Sequence, residues 1–141
     1  MKKILVLTIL LFSIQSFSQG NSDCNERTLP YWAYEINSRI KGENPALRKA
    51  FKEIQSSKTK IEPSNGFITL RLNISKTGEL CDIESFQIDE NYKSTVFNNG
   101  QLIKELGQIA IGLTDWERDK DYKTYNLIRL KIKNGRIEEI F

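Results

Sequence analysis

From Phe67 onward the chain alternates strictly. Ile68, Leu70, Leu72 and Ile74 share one parity while Thr69, Arg71 and Asn73 share the other, the pattern of a half-buried strand with one wet face. Lys76-Thr77-Gly78 offers a turn with a glycine free to take positive φ, and residues 79–88 return as a second strand. Its alternation breaks, with Leu80 and Ile83 at odd spacing and Phe86 and Ile88 at even spacing. A bulge near Cys81-Asp82 would bring Leu80 and Ile83 onto one face. Asn98-Asn99-Gly100 then starts a helix whose broad apolar face carries Leu102, Ile103, Leu106, Ile109, Ala110 and Leu113. Gly107 and Gly112 each cost that helix about 1 kcal/mol relative to alanine, which predicts close packing or fraying there. After a charged loop at 115–121, residues 122–133 form a third strand in which Ile128, Leu130 and Ile132 alternate with Arg129, Lys131 and Lys133. Asn134-Gly135 is the strongest hairpin signal in the chain, and residues 136–141 fold back as a short last strand.

Upstream, Leu47, Ala50, Phe51 and Ile54 make an i, i+3, i+4, i+7 stripe behind Asn44 as N-cap and Pro45 in the first position, predicting a helix over 44–56. Pro63-Ser64-Asn65-Gly66 separates it from the sheet. Nearer the start, Pro30 suits a first helical turn, and Trp32, Ile36 and Ile40 recur on one helical face until Gly42. The sum is an α+β fold: a mainly antiparallel sheet of three to four strands with helices packed on one face.

Residues 1–18 read as a signal peptide. Lys2 and Lys3 precede an almost unbroken apolar run from Ile4 to Ile14, and Ser16 and Ser18 are small where a signal peptidase reads, so cleavage is expected before Gln19. The run is shorter than the roughly 20 apolar residues that span a bilayer. An uncleaved N-terminal anchor is the other reading. A lipoprotein is disfavoured, because Asn21-Ser22-Asp23 before Cys24 is not the small, apolar context that lipid transfer requires. Residues 19–43 form an N-terminal extension with a short helix, and 44–141 form the α+β domain. The expected destination is periplasmic or secreted.

Charge changes once that segment is removed. The chain has 21 basic and 18 acidic residues; losing Lys2 and Lys3 leaves 19 against 18, a net charge of +1. No electrostatic case for nucleic acid or an anionic membrane survives, and no stable membrane insertion of the mature chain is expected. About 120 residues suffice for one core that buries about two-thirds of the unfolded surface. Cys24 and Cys81 are a disulfide candidate in an oxidising compartment, with two unpaired thiols as the alternative that spacing leaves open.

Catalysis has little footing. The chain has no histidine, hence no ordinary triad and no imidazole base, and two distant cysteines make no nucleophile–base pair. Asp115, Glu117, Asp119 and Asp121 alternate like early ligands of a calcium loop, but Lys120 stands where glycine is needed and Asn126 where a bidentate glutamate is needed. No catalytic residue, cofactor or metal site is expected. Asn73-Ile74-Ser75 matches a glycosylation sequon on a strand and is discounted. Tyr31, Trp32 and Tyr34 either form a binding patch or cover the sheet where the chain enters the domain, and Trp116 is read as core.

Three stretches together resemble the C-terminal domain of TonB-like energy-transducing proteins. They are the alternating strand 66–74 opening at Gly66, the charged glycine turn and returning strand 76–83, and Leu113-Thr114-Asp115-Trp116 followed by the alternating strand to Ile132. This chain departs from the family in having Glu117 and Arg118 where a proline usually follows the Trp, no Pro-rich linker, and no anchor histidine. It therefore resembles a free-standing exported member rather than a complete transducer. The resemblance implies a non-enzymatic module whose partner is a protein or peptide, in particular an outer-membrane receptor docking by strand addition in TonB-dependent transport. The docking main chain would be that of Tyr125, Leu127, Arg129 and Lys131 on the third strand or of Arg136 and Ile137 on the last, whichever lies at the edge. Two alternatives stay open. Lys131, Lys133 and Arg136 also suit gatekeepers that keep an edge from sticking to other chains, and the protein also suits a secreted structural or interaction role that keeps the fold without receptor docking.

Overall fold

A computed structural model describes residues 22–141, so the expectations for 1–18 lie outside the described residues. The chain runs through α1 (Tyr31–Tyr34), β1 (Ser38–Ile40), α2 (Glu43–Ala50), α3 (Lys52–Ser56), β2 (Gly66–Ile74), β3 (Leu80–Asp89), α4 (Gln101–Ile111), β4 (Trp116–Arg118), β5 (Thr124–Lys133) and β6 (Arg136–Ile140). Short 3-10 turns occupy Ser22–Asn25 and Phe97–Gly100. A four-stranded antiparallel sheet has the order β3-β2-β5-β6, and β1 pairs with β4 in a second, two-stranded sheet. The fold is α+β, as the periodicities predict.

Alternation decides which face is sealed. Ile68, Leu70, Leu72 and Ile74 of β2 meet Ile128, Leu130 and Ile132 of β5, and all are buried. Phe51, Leu102, Leu106 and Ala110 from the helices close the same core. The bulge in β3 is present: Asn73 pairs with Asp82 but Ile74 pairs with Leu80, so Cys81 is the extra residue and Leu80 and Ile83 face inward together. At the β5–β6 turn, Asn134 and Gly135 take φ of 53° and 73°, as a two-residue hairpin with matching twist demands.

Three helical expectations change. The stripe of Trp32, Ile36 and Ile40 is not one helix: α1 stops at Tyr34, Glu35 turns left-handed (φ 52°), and Ile40 belongs to a strand. Trp32 is 70% exposed while Ile36 and Ile40 are buried. The helix over 44–56 breaks at Phe51 (φ −93°, ψ 5°) into α2 and α3, and Gly42 rather than Asn44 is the N-cap. In α4, Gly112 is the C-cap, but Gly107 lies mid-helix without close packing, since a Cβ there meets nothing within 4 Å. Gly107→Ala is therefore expected to raise stability by about 1 kcal/mol, read as a higher urea midpoint at unchanged m-value; a loss of stability would contradict the open space.

The N-terminal segment is sewn to the domain. Cys24 and Cys81 are bonded, with Cα atoms 5.4 Å apart. The Leu29 amide donates to the Lys123 carbonyl at 2.9 Å, and the Thr124 hydroxyl donates to the Leu29 carbonyl at 2.9 Å. The charged loop contributes β4 and a clasp. Asp119 accepts from the Asn37 amide at 2.9 Å, Lys120 donates to the Tyr34 carbonyl at 2.8 Å, and Arg118 donates to the Ser75 carbonyl. Burial lowers the pKa of the Arg118 guanidinium, with Asp121 opposing that shift.

Candidate functional site

The four expected docking residues of β5 separate into two pairs. Arg129 exchanges backbone hydrogen bonds of 2.6 and 2.9 Å with Phe141, and Lys131 pairs with Glu139 of β6. Their main chain is already taken by the chain's own C-terminus, so neither Arg129 nor Lys131 can receive a guest strand. Tyr125 and Leu127 lie beyond the end of β6. In an antiparallel ladder, amide and carbonyl orientation alternates along a strand, so both residues point theirs to the same outer rim as Arg129. A cleft of about 270 Å³, lined by Ile40, Leu47, Trp116, Ile128 and Phe141, adjoins this short notch. Trp116 is half-buried against the core, with its indole N–H on the Leu113 carbonyl at 2.8 Å.

Arg136 and Ile137 belong to an edge strand, but a guarded one. Ile137 is buried in the core, Gln55 of α3 donates to the Glu138 carbonyl at 3.4 Å, and Glu138 bridges Lys131 and Lys133 at 2.8 and 3.2 Å. Hydrogen bonds from Lys131 and then Lys133 hold the Glu138 carboxyl below its usual range. Charge and a helix along a short edge are how sheets keep rims from joining other chains.

The uncovered face of the sheet ties up other expected side chains. The Arg129 guanidinium lies 4.4 Å from the Phe67 ring centre and that of Arg71 lies 4.2 Å from Tyr125, which Tyr31 meets edge-on at 5.5 Å. Asn73, the sequon residue, is buried and donates to Asp82 and Glu84. Of the three aromatics near the chain's entry, Tyr31 covers the sheet at Tyr125, and it remains exposed together with Trp32 and Tyr34.

Sequence reasoning did not single out β3, and its outer rim is the open one. With Arg129 facing β6, Ile128 and Asn126 face β2, so Leu70 and Leu72 face β5 while Thr69 and Arg71 face β3. Phe86 and Glu84 answer them, which leaves the amides and carbonyls of Ile83 and Ser85 pointing outward. Gln87 has the same parity, and its carbonyl accepts the Thr95 amide from that side at 3.1 Å. Among the described residues nothing occupies the rim at Ile83 and Ser85.

The side chains of Ile83 and Ser85 point the other way, toward α4, which stands off the strand. Between them lies a groove of about 670 Å³, with Leu70 as its floor, Leu80 and Ile83 on one wall, and Ile103, Gly107 and Ile111 on the other. Ile111 is 55% exposed at its end. Ser85, Lys104 and Gln108 add a hydroxyl, an ammonium and an amide, none of them hydrogen-bonded or ion-paired among the described residues. An apolar concavity with a few convergent polar groups is the usual form of a binding site. The signals in the sequence were Ser85 and Gln87 at inward positions of β3 and a glycine in mid-helix.

Among the described residues no three His, Cys, Asp or Glu side chains converge as a metal site, and no helix is long and apolar enough to cross a membrane. Fold and rim define a small, disulfide-tied α+β domain with an open sheet edge backed by an apolar groove. Comparison with protein-family models, with characterised proteins and with solved structures finds no match.

Proposed function

We propose that the protein is an exported, non-enzymatic binding module, similar to TonB C-terminal domains, that docks an extended peptide of an envelope partner by strand addition. The partner class implied by that resemblance is an outer-membrane receptor. One observation carries the proposal: Ile83 and Ser85 present free main-chain donors and acceptors directly beside an apolar groove. Strand addition uses such a rim for affinity and such a groove for alternate side chains. The guest is placed on β3 because β6 already lines most of β5. The Cys24–Cys81 bond suits an oxidising compartment such as the periplasm.

Ser85→Pro tests this. It deletes an outward N–H and no ladder bond to β2, and proline is tolerated on an edge strand in that orientation. The folded variant is expected to lose the envelope proteins that the wild-type protein captures from outer-membrane extract. Equal capture by both refutes docking at β3. The second reading, a secreted structural or interaction protein without receptor docking, draws on the Lys131–Glu138–Lys133 guard of β6. It expects capture by neither.

A further inference from the structure

We propose that the β3–α4 groove selects its guest by charge as well as by shape. The guest is an extended peptide segment of a partner protein with an acidic side chain opposite Lys104 and apolar side chains two and four residues away. This inference rests on strand addition at β3.

The geometry supplies each element. A strand added to β3 lies about 4.8 Å outside it, and every second side chain then points into the groove. α4 enters beside the far end of β3, where the Gln87 side chain accepts the Phe97 amide at 3.1 Å. Beyond its other end, Trp116 lies against Gly78, just before β3 begins. Helix and strand therefore run in opposite directions, with Lys104 toward Ser85 and Ile111 toward Leu80. From Ile103 to Ile111 the helix wall spans roughly 12 Å at 1.5 Å per residue. That distance accommodates groove-facing side chains spaced about 7 Å apart, two strand rises each.

Chemistry divides the groove the same way. At the Ser85 end, Lys104 is a cation without an ion pair among the described residues, flanked by the unpartnered Ser85 hydroxyl and Gln108 amide. An incoming carboxylate gains a charge-assisted partner there, whereas a cation meets repulsion. At the Leu80 end the lining is Leu80, Cys81, Ile83, Gly107 and Ile111, and the one carboxylate there, Asp82, is engaged by the Asn73 amide. Gly107 is the telling residue. It weakens α4, no neighbour requires its lack of a side chain, and the space it leaves belongs to the groove.

The probe is a blocked nonapeptide, Leu-Thr-Leu-Thr-Glu-Thr-Leu-Thr-Leu, which reads the same in either strand direction. Versions with Gln or Lys at the centre are compared by NMR titration of the disulfide-bonded protein. The Glu peptide is expected to shift the Ile83 and Ser85 amides and to bind about tenfold more tightly than the Lys peptide. Lys104→Gln should erase that difference while retaining the β3 shifts, and Gly107→Leu should weaken all three peptides by filling the groove. Equal affinities of the Glu and Lys peptides, with the β3 shifts present, overturn the charge selection and leave docking intact. Absence of β3 shifts with every peptide overturns docking and this inference together. Dodecanoate is the control for an acyl-chain pocket. If it fills the groove and displaces the Glu peptide at lower concentration than that peptide binds, the guest is a lipid and the inference falls.

Discussion

Replacing Cys24 and Cys81 with serine should lower the unfolding free energy by about 4 kcal/mol, the chain-entropy cost of opening a loop of this length. The bond spans 57 residues of sequence. It anchors the segment that supplies Leu29 to Lys123 and Thr124, and that segment leads on to β1. Against the 5–15 kcal/mol total of an ordinary domain, this is a large fraction. A fall in melting temperature of about 10 °C or more is expected. Calorimetry of the oxidised protein, the reduced protein and the double-serine variant checks it, and the last two should agree. A change below about 1 kcal/mol would mean that the unfolded chain is already held compact without the bond.

Gly66→Ala should cost about 3 kcal/mol or more, from an unfavourable backbone conformation plus overpacking. Gly66 opens β2 at φ 148°, where a Cβ would sit 2.2 Å from the Ile88 carbonyl oxygen and 2.9 Å from the Phe97 ring. Neither neighbour can retreat easily. Ile88 is laddered to Phe67, and Phe97 is fully buried beneath the sheet. Urea titration reads the loss directly, and a variant as stable as the parent would show that this corner can open at no cost.

Much of the sheet was legible because each strand announces itself by parity. β2, β5 and the Asn134-Gly135 turn follow from spacing and turn chemistry alone, and the bulge at Cys81 follows from the odd step between Leu80 and Ile83. The failures have equally local causes. Trp32, Ile36 and Ile40 recur every four residues, a spacing that suits a helix of period 3.6 and also a strand of period 2. The strand won at Ser38–Ile40 because Trp116–Arg118 supplied a partner that no pattern in the charged loop reveals. Edge position was also unreadable. In a sheet sealed on one face, parity tells which side chains turn inward but not whether a strand such as β5 has a neighbour on each side. The choice between Arg129 and Lys131 on one strand and Arg136 and Ile137 on the next therefore stayed open, and the β3 groove was missed because it depends on where α4 lands rather than on the composition of either wall.

The order β3-β2-β5-β6 has a consequence for how the molecule is made. The centre of the sheet is assembled from one strand synthesised midway and another synthesised almost last, so Ile68, Leu70, Leu72 and Ile74 await their mates until residues 124–132 have emerged. A nascent polypeptide of this design stays pliant through most of its synthesis and locks only at the finish. Any passage through a narrow translocation pore is easier for a chain in that condition, and a premature stop between β3 and β5 leaves a greasy hairpin rather than a smaller domain.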